Sequence, residues 1–146
     1  MVISIMVLLI NLINYNFWQA TGLTIINLIA MLIGNWFAYL ITREYLCRKL
    51  SFDTNLALNL TVYSGVIFII FHSIGNALGN IFLGQLFTLL SFIFIRTLYK
   101  GLGQIPRLHP GQKTNILVIS SLAIICIPVI INQLLMIIFG ISAFNI

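Results

Sequence analysis

The chain has 146 residues, of which 61% are hydrophobic and 6% are charged. So few polar groups could not cover the surface of a soluble domain, so the composition excludes soluble classes and predicts an integral membrane protein. Seven basic and two acidic residues give a net charge of +5. Because the basic residues fall between apolar segments, they indicate membrane topology rather than nucleic-acid binding.

Five apolar segments without alternating polar positions predict an all-α polytopic membrane helical bundle, a single membrane domain over residues 1–146, and exclude a β-barrel. The first segment has neither a basic leader nor a cleavage site, so we expect a retained helix. The fourth is short and is expected to extend from Gly79 to Leu98. Pro128 predicts a kink in the last helix. The predicted helices cover Val2–Trp18, Leu23–Thr42, Ala57–Ile74, Ile81–Ile95 and Ile116–Phe139.

The connections over residues 14–22 and 75–80 contain no Lys or Arg, so the positive-inside rule places them outside. It places the two basic windows, and therefore the N-terminus, in the cytoplasm. Prolines and glycines predict that the second basic window, residues 100–113, is an irregular loop. The basic residues of the two windows are Arg43, Arg48, Lys49, Arg96, Lys100, Arg107 and Lys113.

An offset of 53 residues aligns several of the less common residue types and predicts an internal repeat. Repeat 1 would cover residues 2–49 and repeat 2 residues 56–102, each a helical hairpin that enters from the cytoplasm and returns to it. Both copies run in the same direction, so the repeat is parallel, and a fifth, C-terminal transmembrane helix over 115–140 stands outside it. The aligned pairs are Gly22 with Gly75, Asn27 with Asn80, Tyr39 with Phe92, and Arg43 with Arg96.

Residues suited to catalysis or metal binding are sparse. The only acids, Glu44 and Asp53, share one predicted loop, and His72 and His109 are too far apart for a helical metal pair. No phosphate-binding glycine loop or nucleophile motif occurs. We therefore expect no enzyme, no bound metal and no cofactor. Cys47 and Cys126 lie at different predicted depths and are expected to be free thiols.

Amide side chains recur within the predicted spans, where unpaired amides cost several kcal/mol each. Two interpretations remain open: hydrogen bonds between helices, or a polar groove that admits a head group. His72 is likewise either a hydrogen-bonded packing residue or a functional group. The candidate groove residues are Asn11, Asn27, Asn35, His72, Asn80 and Gln85.

Arg43 and Arg96 are predicted where two helices reach the cytoplasmic interface. In one interpretation they are snorkelling anchors, flanked by interfacial aromatic residues. In the other, the two guanidinium groups together bind a lipid phosphate. The sequence pattern alone is compatible with both.

Two stretches of this sequence resemble the GtrA-like family of small membrane proteins over about residues 8–100. The first is LLINLINYNFWQATGLTIINLIAMLIGNWFAYLITREYLCR, which ends in Thr42-Arg43-Glu44-Tyr45. The second, IFLGQLFTLLSFIFIRTLYK, is similar in having Phe92 four residues before Arg96, with Tyr99 near the family's aromatic position.

This resemblance implies a bacterial inner-membrane protein that handles polyprenyl-phosphate-linked sugars in cell-surface glycosylation, as a flippase or as the partner of a membrane glycosyltransferase. Arg43 and Arg96 would then meet the phosphate at the cytoplasmic leaflet. Two other classes fit the small size and the positive charge: a non-catalytic subunit or assembly factor of a larger complex, and a bacteriocin-immunity or holin-like protein. A homo-oligomer would surround the transport pathway of a flippase with more helices than one bundle can.

Overall fold

The structure is a computed structural model that describes residues 2–49, 54–79, 82–105 and 108–140, without the side chains of residues 2 and 47–49. The described residues form α-helices and no strand, and a short π-helical segment, Glu44–Lys49, continues the second helix. The helices are α1 (Val2–Asn14), α2 (Phe17–Arg43), α3 (Thr54–Leu78), α4 (Phe82–Ser91), α5 (Ile93–Gly103) and α6 (Pro110–Ile138).

Four helical segments of the described chain are long and apolar enough to cross a membrane. The prediction of an all-α membrane helical bundle is confirmed to this extent. The C-terminal helix α6 is the last of the four. The segments are Phe17–Leu46, Thr54–Leu78, Phe82–Gly103 and Pro110–Ile138.

Helix α1 differs from the predicted first span. It has 13 residues, which at ~1.5 Å per residue reach ~20 Å, less than the ~30 Å of a bilayer core. The chain turns at Tyr15 and Asn16, and α2 already begins at Phe17. The predicted bounds Val2–Trp18 and the predicted connection over 14–22 are therefore wrong, because the segment after Asn16 continues as helix through Gly22. The count of five spans stays a prediction.

The fourth span is broken near its middle, between α4 and α5. The Ser91 hydroxyl donates to the carbonyl of Thr88 at 2.6 Å, and the Phe92 N–H donates to the carbonyl of Leu89 at 3.1 Å. A hydrogen bond from Phe92 to a carbonyl three residues back tightens the helix, and hydroxyls bonded to the preceding turn bend it. The helical segment Phe82–Gly103 is therefore interrupted at Phe92, and α5 is its second part.

The second basic window is more helical than predicted. Helix α5 continues to Gly103, and α6 begins at Pro110, where the missing N–H and fixed φ of proline suit the first helical position. The His109 N–H donates to Gln112 Oε1 at 3.2 Å and caps this end. The prediction of an irregular loop over 100–113 is therefore wrong at both ends.

Helix α2 packs against α6, which runs antiparallel to it, and against α3. A Cβ built on Gly34 would lie 2.5 Å from Pro128 Cγ, so only glycine permits this approach of α2 to α6. Further along the same α2–α6 interface, the Thr42 hydroxyl donates to Ser120 Oγ at 3.0 Å. Pro128 is therefore a packing residue at the centre of this interface.

Two buried apolar clusters fill the bundle. The central cluster joins α2, α3, α5 and α6 through Ala38, Phe68, Phe94, Ala123 and Ile124. The second cluster lies where α2 and α5 end and α3 and α6 begin, and we call this the basic end because Arg43, Lys100 and Lys113 lie there. It consists of Leu46, Ala57, Leu60, Leu98, Leu102, Ile105, Leu108 and Ile116.

The pairs at an offset of 53 do not all occupy equivalent helices. Gly22 lies in α2, the second helix of its hairpin, whereas Gly75 lies in α3, the first helix of the next one. Arg43 ends α2, whereas Arg96 lies near the start of α5. Asn80 is outside the described residues. The parallel two-hairpin repeat therefore stays a prediction.

Candidate functional site

The candidate site begins with Arg96, which lies on the outward face of α5. Phe94 and Leu98, two residues on either side of it, are both fully buried. At ~100° per residue these two share one face, and Arg96 lies on the opposite one. The Arg96 side chain is exposed, so it points away from the bundle.

The outward face of α5 combines cationic and aromatic side chains. Tyr99 and Lys100, three and four residues after Arg96, are exposed, and so is Phe92, four residues before it. At helical spacing these side chains lie on one surface. Arginine, lysine and aromatic rings in this arrangement are typical of a helix surface that meets lipid head groups. We call the four residues Phe92, Arg96, Tyr99 and Lys100 the α5 outer face.

Arg43, the second predicted phosphate ligand, is exposed at the last position of α2. Both arginines are toward the basic end of the bundle, but α5 packs against α3 and α6, and Arg96 points outward. Among the described residues no hydrogen bond or ion pair joins Arg43 to Arg96. The structure places the two arginines on separate helices, and their joint action on one phosphate stays a prediction.

Asn11, the first predicted groove residue, forms a hydrogen bond between helices. Its Nδ2 donates to Thr24 Oγ1 at 3.1 Å, and the Thr24 hydroxyl donates to the carbonyl of Ala20 at 2.7 Å. Both residues are buried. This pair ties the short helix α1 to α2, so Asn11 has a packing role.

Asn27 and Asn35 are both on α2 and both have an unpaired amide oxygen. Asn27 is buried, and neither its Oδ1 nor that of Asn35 has a hydrogen-bond partner. Asn35 faces α3, where a Cβ on Gly65 would lie within contact distance of its amide. Whether the two amides line one polar groove stays a prediction.

The remaining predicted groove residues are dispersed. The His72 ring is stacked on Phe68, with 4.9 Å between ring centroids, so it contacts the central cluster. Gln85 is exposed on α4, and Asn80 lies outside the described residues. The common polar groove of the predicted set therefore stays a prediction.

Two buried polar groups were not among the predicted site residues. Asn132 Oδ1 and Ser121 Oγ, both on α6, have no hydrogen-bond partner. The sequence does show the signal for Asn132, an amide within an apolar run, but its burial depends on how α6 packs against α2.

The described residues contain no group of three or more His, Cys, Asp or Glu side chains that could hold a metal ion. Cys126 is a free, exposed thiol, and the Cys47 side chain lies outside the described part. Comparisons with protein-family models, curated proteins and solved structures find no match. The resemblance to the GtrA-like family therefore depends on the two sequence stretches alone.

Proposed function

We propose that this protein binds polyprenyl-phosphate-linked sugars at the basic end of the bundle and assists their movement between leaflets. The observation that carries the proposal is the α5 outer face, where Arg96 is exposed opposite the buried Phe94 and Leu98. A guanidinium on the lipid-facing side of a membrane helix needs an anionic partner or access to water.

A lipid phosphate is the partner that this position suits best. No Asp or Glu occurs after Asp53, so α3 to α6 supply no carboxylate to Arg96. A guanidinium binds phosphate oxygens in a bidentate manner, and Tyr99 and Phe92 provide apolar surface for an acyl or prenyl chain beside it. Lys100 adds a second positive charge one turn further along α5.

Arg43 is proposed as a second, separate phosphate contact at the end of α2. The proposal places the cytoplasm at the basic end by the positive-inside rule, in a bacterial inner membrane. In this arrangement one lipid-linked phosphate would bind at α5, and Arg43 would contact another lipid phosphate of the same leaflet.

Reconstituted vesicles test this function. The protein is reconstituted with a radiolabelled polyprenyl-phosphate-linked sugar, and the fraction of label that becomes accessible in the opposite leaflet is measured over time. We expect wild-type protein to accelerate this movement and Arg96→Ala to reduce the rate at least tenfold, since one charge-assisted bidentate contact contributes about 1.5–3 kcal/mol.

The matched control is Lys113→Ala, which removes one positive charge at the same end but from α6. It is expected to leave the rate within about twofold, because it keeps the α5 outer face. Transport at the rate of protein-free vesicles, or equal rates for Arg96→Ala and wild type, would show that the protein does not work in this way.

A further inference from the structure

We infer that the α2–α6 interface contains a binding site for a monovalent cation, formed by the amide oxygens of Asn27 and Asn132. Both residues are more than nine-tenths buried, with exposed fractions of 9% and 8%. Neither amide oxygen has a hydrogen-bond partner. Buried acceptors without a donor are uncommon and costly, so these positions call for a ligand.

The helix register brings the two amides to the same region. Gly34 contacts Pro128, and Thr42 donates to Ser120. Because the two helices are antiparallel, each step of one residue forward along α2 corresponds to a step of one residue back along α6. Asn132 is thereby opposite Ala30, three residues from Asn27, a distance of about 4.5 Å along the axis. Asn27 and Gly34 are seven residues apart and share a helix face.

Neighbouring polar side chains in this region find hydrogen-bond partners within the protein. Thr24, one turn before Asn27, both accepts from Asn11 and donates to Ala20. The unpaired oxygens of Asn27 and Asn132 are acceptors only. What they lack is a positively polarised partner, not more acceptors.

Several features favour a monovalent cation as that partner. Pro128, one turn before Asn132, has no N–H to donate to the carbonyl of Ile124, which adds a third oxygen along the interface. Neutral oxygens of this kind replace the hydration shell of alkali ions in membrane proteins. Divalent ions prefer carboxylates. In the described membrane spans the carboxylate is Glu44, which lies at the basic end of the bundle, the end of α2 away from Asn27.

The test is thermal unfolding of the purified, detergent-solubilised full chain in sodium, potassium or choline chloride at equal ionic strength. We expect one alkali cation to raise Tm in a saturable manner by roughly 5 °C relative to choline, since a ligand that binds only the folded state stabilises it. Equal Tm values in all three salts would overturn the inference and indicate that a water molecule occupies the site.

Four variants locate the site. Asn27→Leu and Asn132→Leu should each abolish the difference between the salts, and Gln133→Leu, which removes the adjacent exposed amide, should retain it. Asn132→Asp keeps the oxygen and adds a negative charge, so the half-saturating cation concentration should fall about tenfold. The assignment would be contradicted if Asn27→Leu and Asn132→Leu both kept the difference in Tm between the salts. It would also be contradicted if the half-saturating cation concentration did not change in Asn132→Asp.

Discussion

The two halves of the α2–α6 interface differ in whether their buried polar side chains are fully hydrogen-bonded. Toward the basic end, the buried Thr42 hydroxyl is paired with Ser120 at 3.0 Å. Toward the opposite end, the buried amides of Asn27 and Asn132 each have an unpaired oxygen. All four side chains are buried on the same two helices, so pairing of these helices does not by itself require the second arrangement. The paired half holds the helices together, and the unpaired half is where a ligand is expected.

The largest loss of stability is expected from a substitution at Gly34, where the two halves of the interface meet. Gly34→Ala places a Cβ 2.5 Å from Pro128 Cγ and 2.6 Å from its Cα, so the helices must separate. We expect a loss of ~3 kcal/mol in the free energy of unfolding, or roughly 10 °C in Tm. Gly103→Ala is the control because a Cβ there has open space. Equal Tm values for the two variants would mean that α2 and α6 do not approach this closely.

Replacing a paired amide and replacing an unpaired one should change the free energy of unfolding by smaller amounts and with opposite signs. In choline chloride, Asn11→Leu removes the hydrogen bond to Thr24 and should cost ~1 kcal/mol in the free energy of unfolding. Asn132→Leu removes an unpaired oxygen and should raise that free energy by ~1 kcal/mol. Chemical denaturation of both variants measures the difference. Destabilisation by both substitutions would show that Asn132 has a partner in the free protein.

The hydrogen bond of the paired half should contribute least. A double-mutant cycle of Thr42→Val and Ser120→Ala is expected to give a coupling energy of ~0.6 kcal/mol, the usual value for a hydrogen bond between membrane helices. The cycle uses the free energies of unfolding of the wild type, the two single variants and the double variant. A coupling energy near zero would remove the contrast between the halves.

The sequence predicts the class of fold well and its details less well. The absence of charge over long apolar runs predicts α2, α3 and α6, and the basic windows predict the end of the bundle where Arg43 and Lys113 lie. The end of α1 was not predicted, although Asn14 and Asn16 on both sides of Tyr15 are turn-forming residues. The apolar Phe17 and Trp18 that follow were assigned to the first helix instead of the second. The break at Phe92 depends on hydroxyl bonds from Ser91 to its own turn, which apolar periodicity does not record.

The site was predictable only in part. A sequence identifies Arg96 and Asn132 as unusual in an apolar context. Which side of a helix each occupies depends on tertiary packing. Arg43 and Arg96 were expected to act on one phosphate because both end apolar runs. The structure places them on separate helices, α2 and α5, and their joint action stays a prediction.

Lipid binding by Arg96 is tested most directly by native mass spectrometry of the purified protein with an equimolar mixture of polyprenyl phosphate and the corresponding polyprenol. We expect wild-type protein to retain the phosphate at least tenfold over the alcohol, and Arg96→Ala to retain both equally while Lys113→Ala keeps the preference. An undiminished preference for the phosphate in Arg96→Ala would contradict a phosphate site on the α5 outer face.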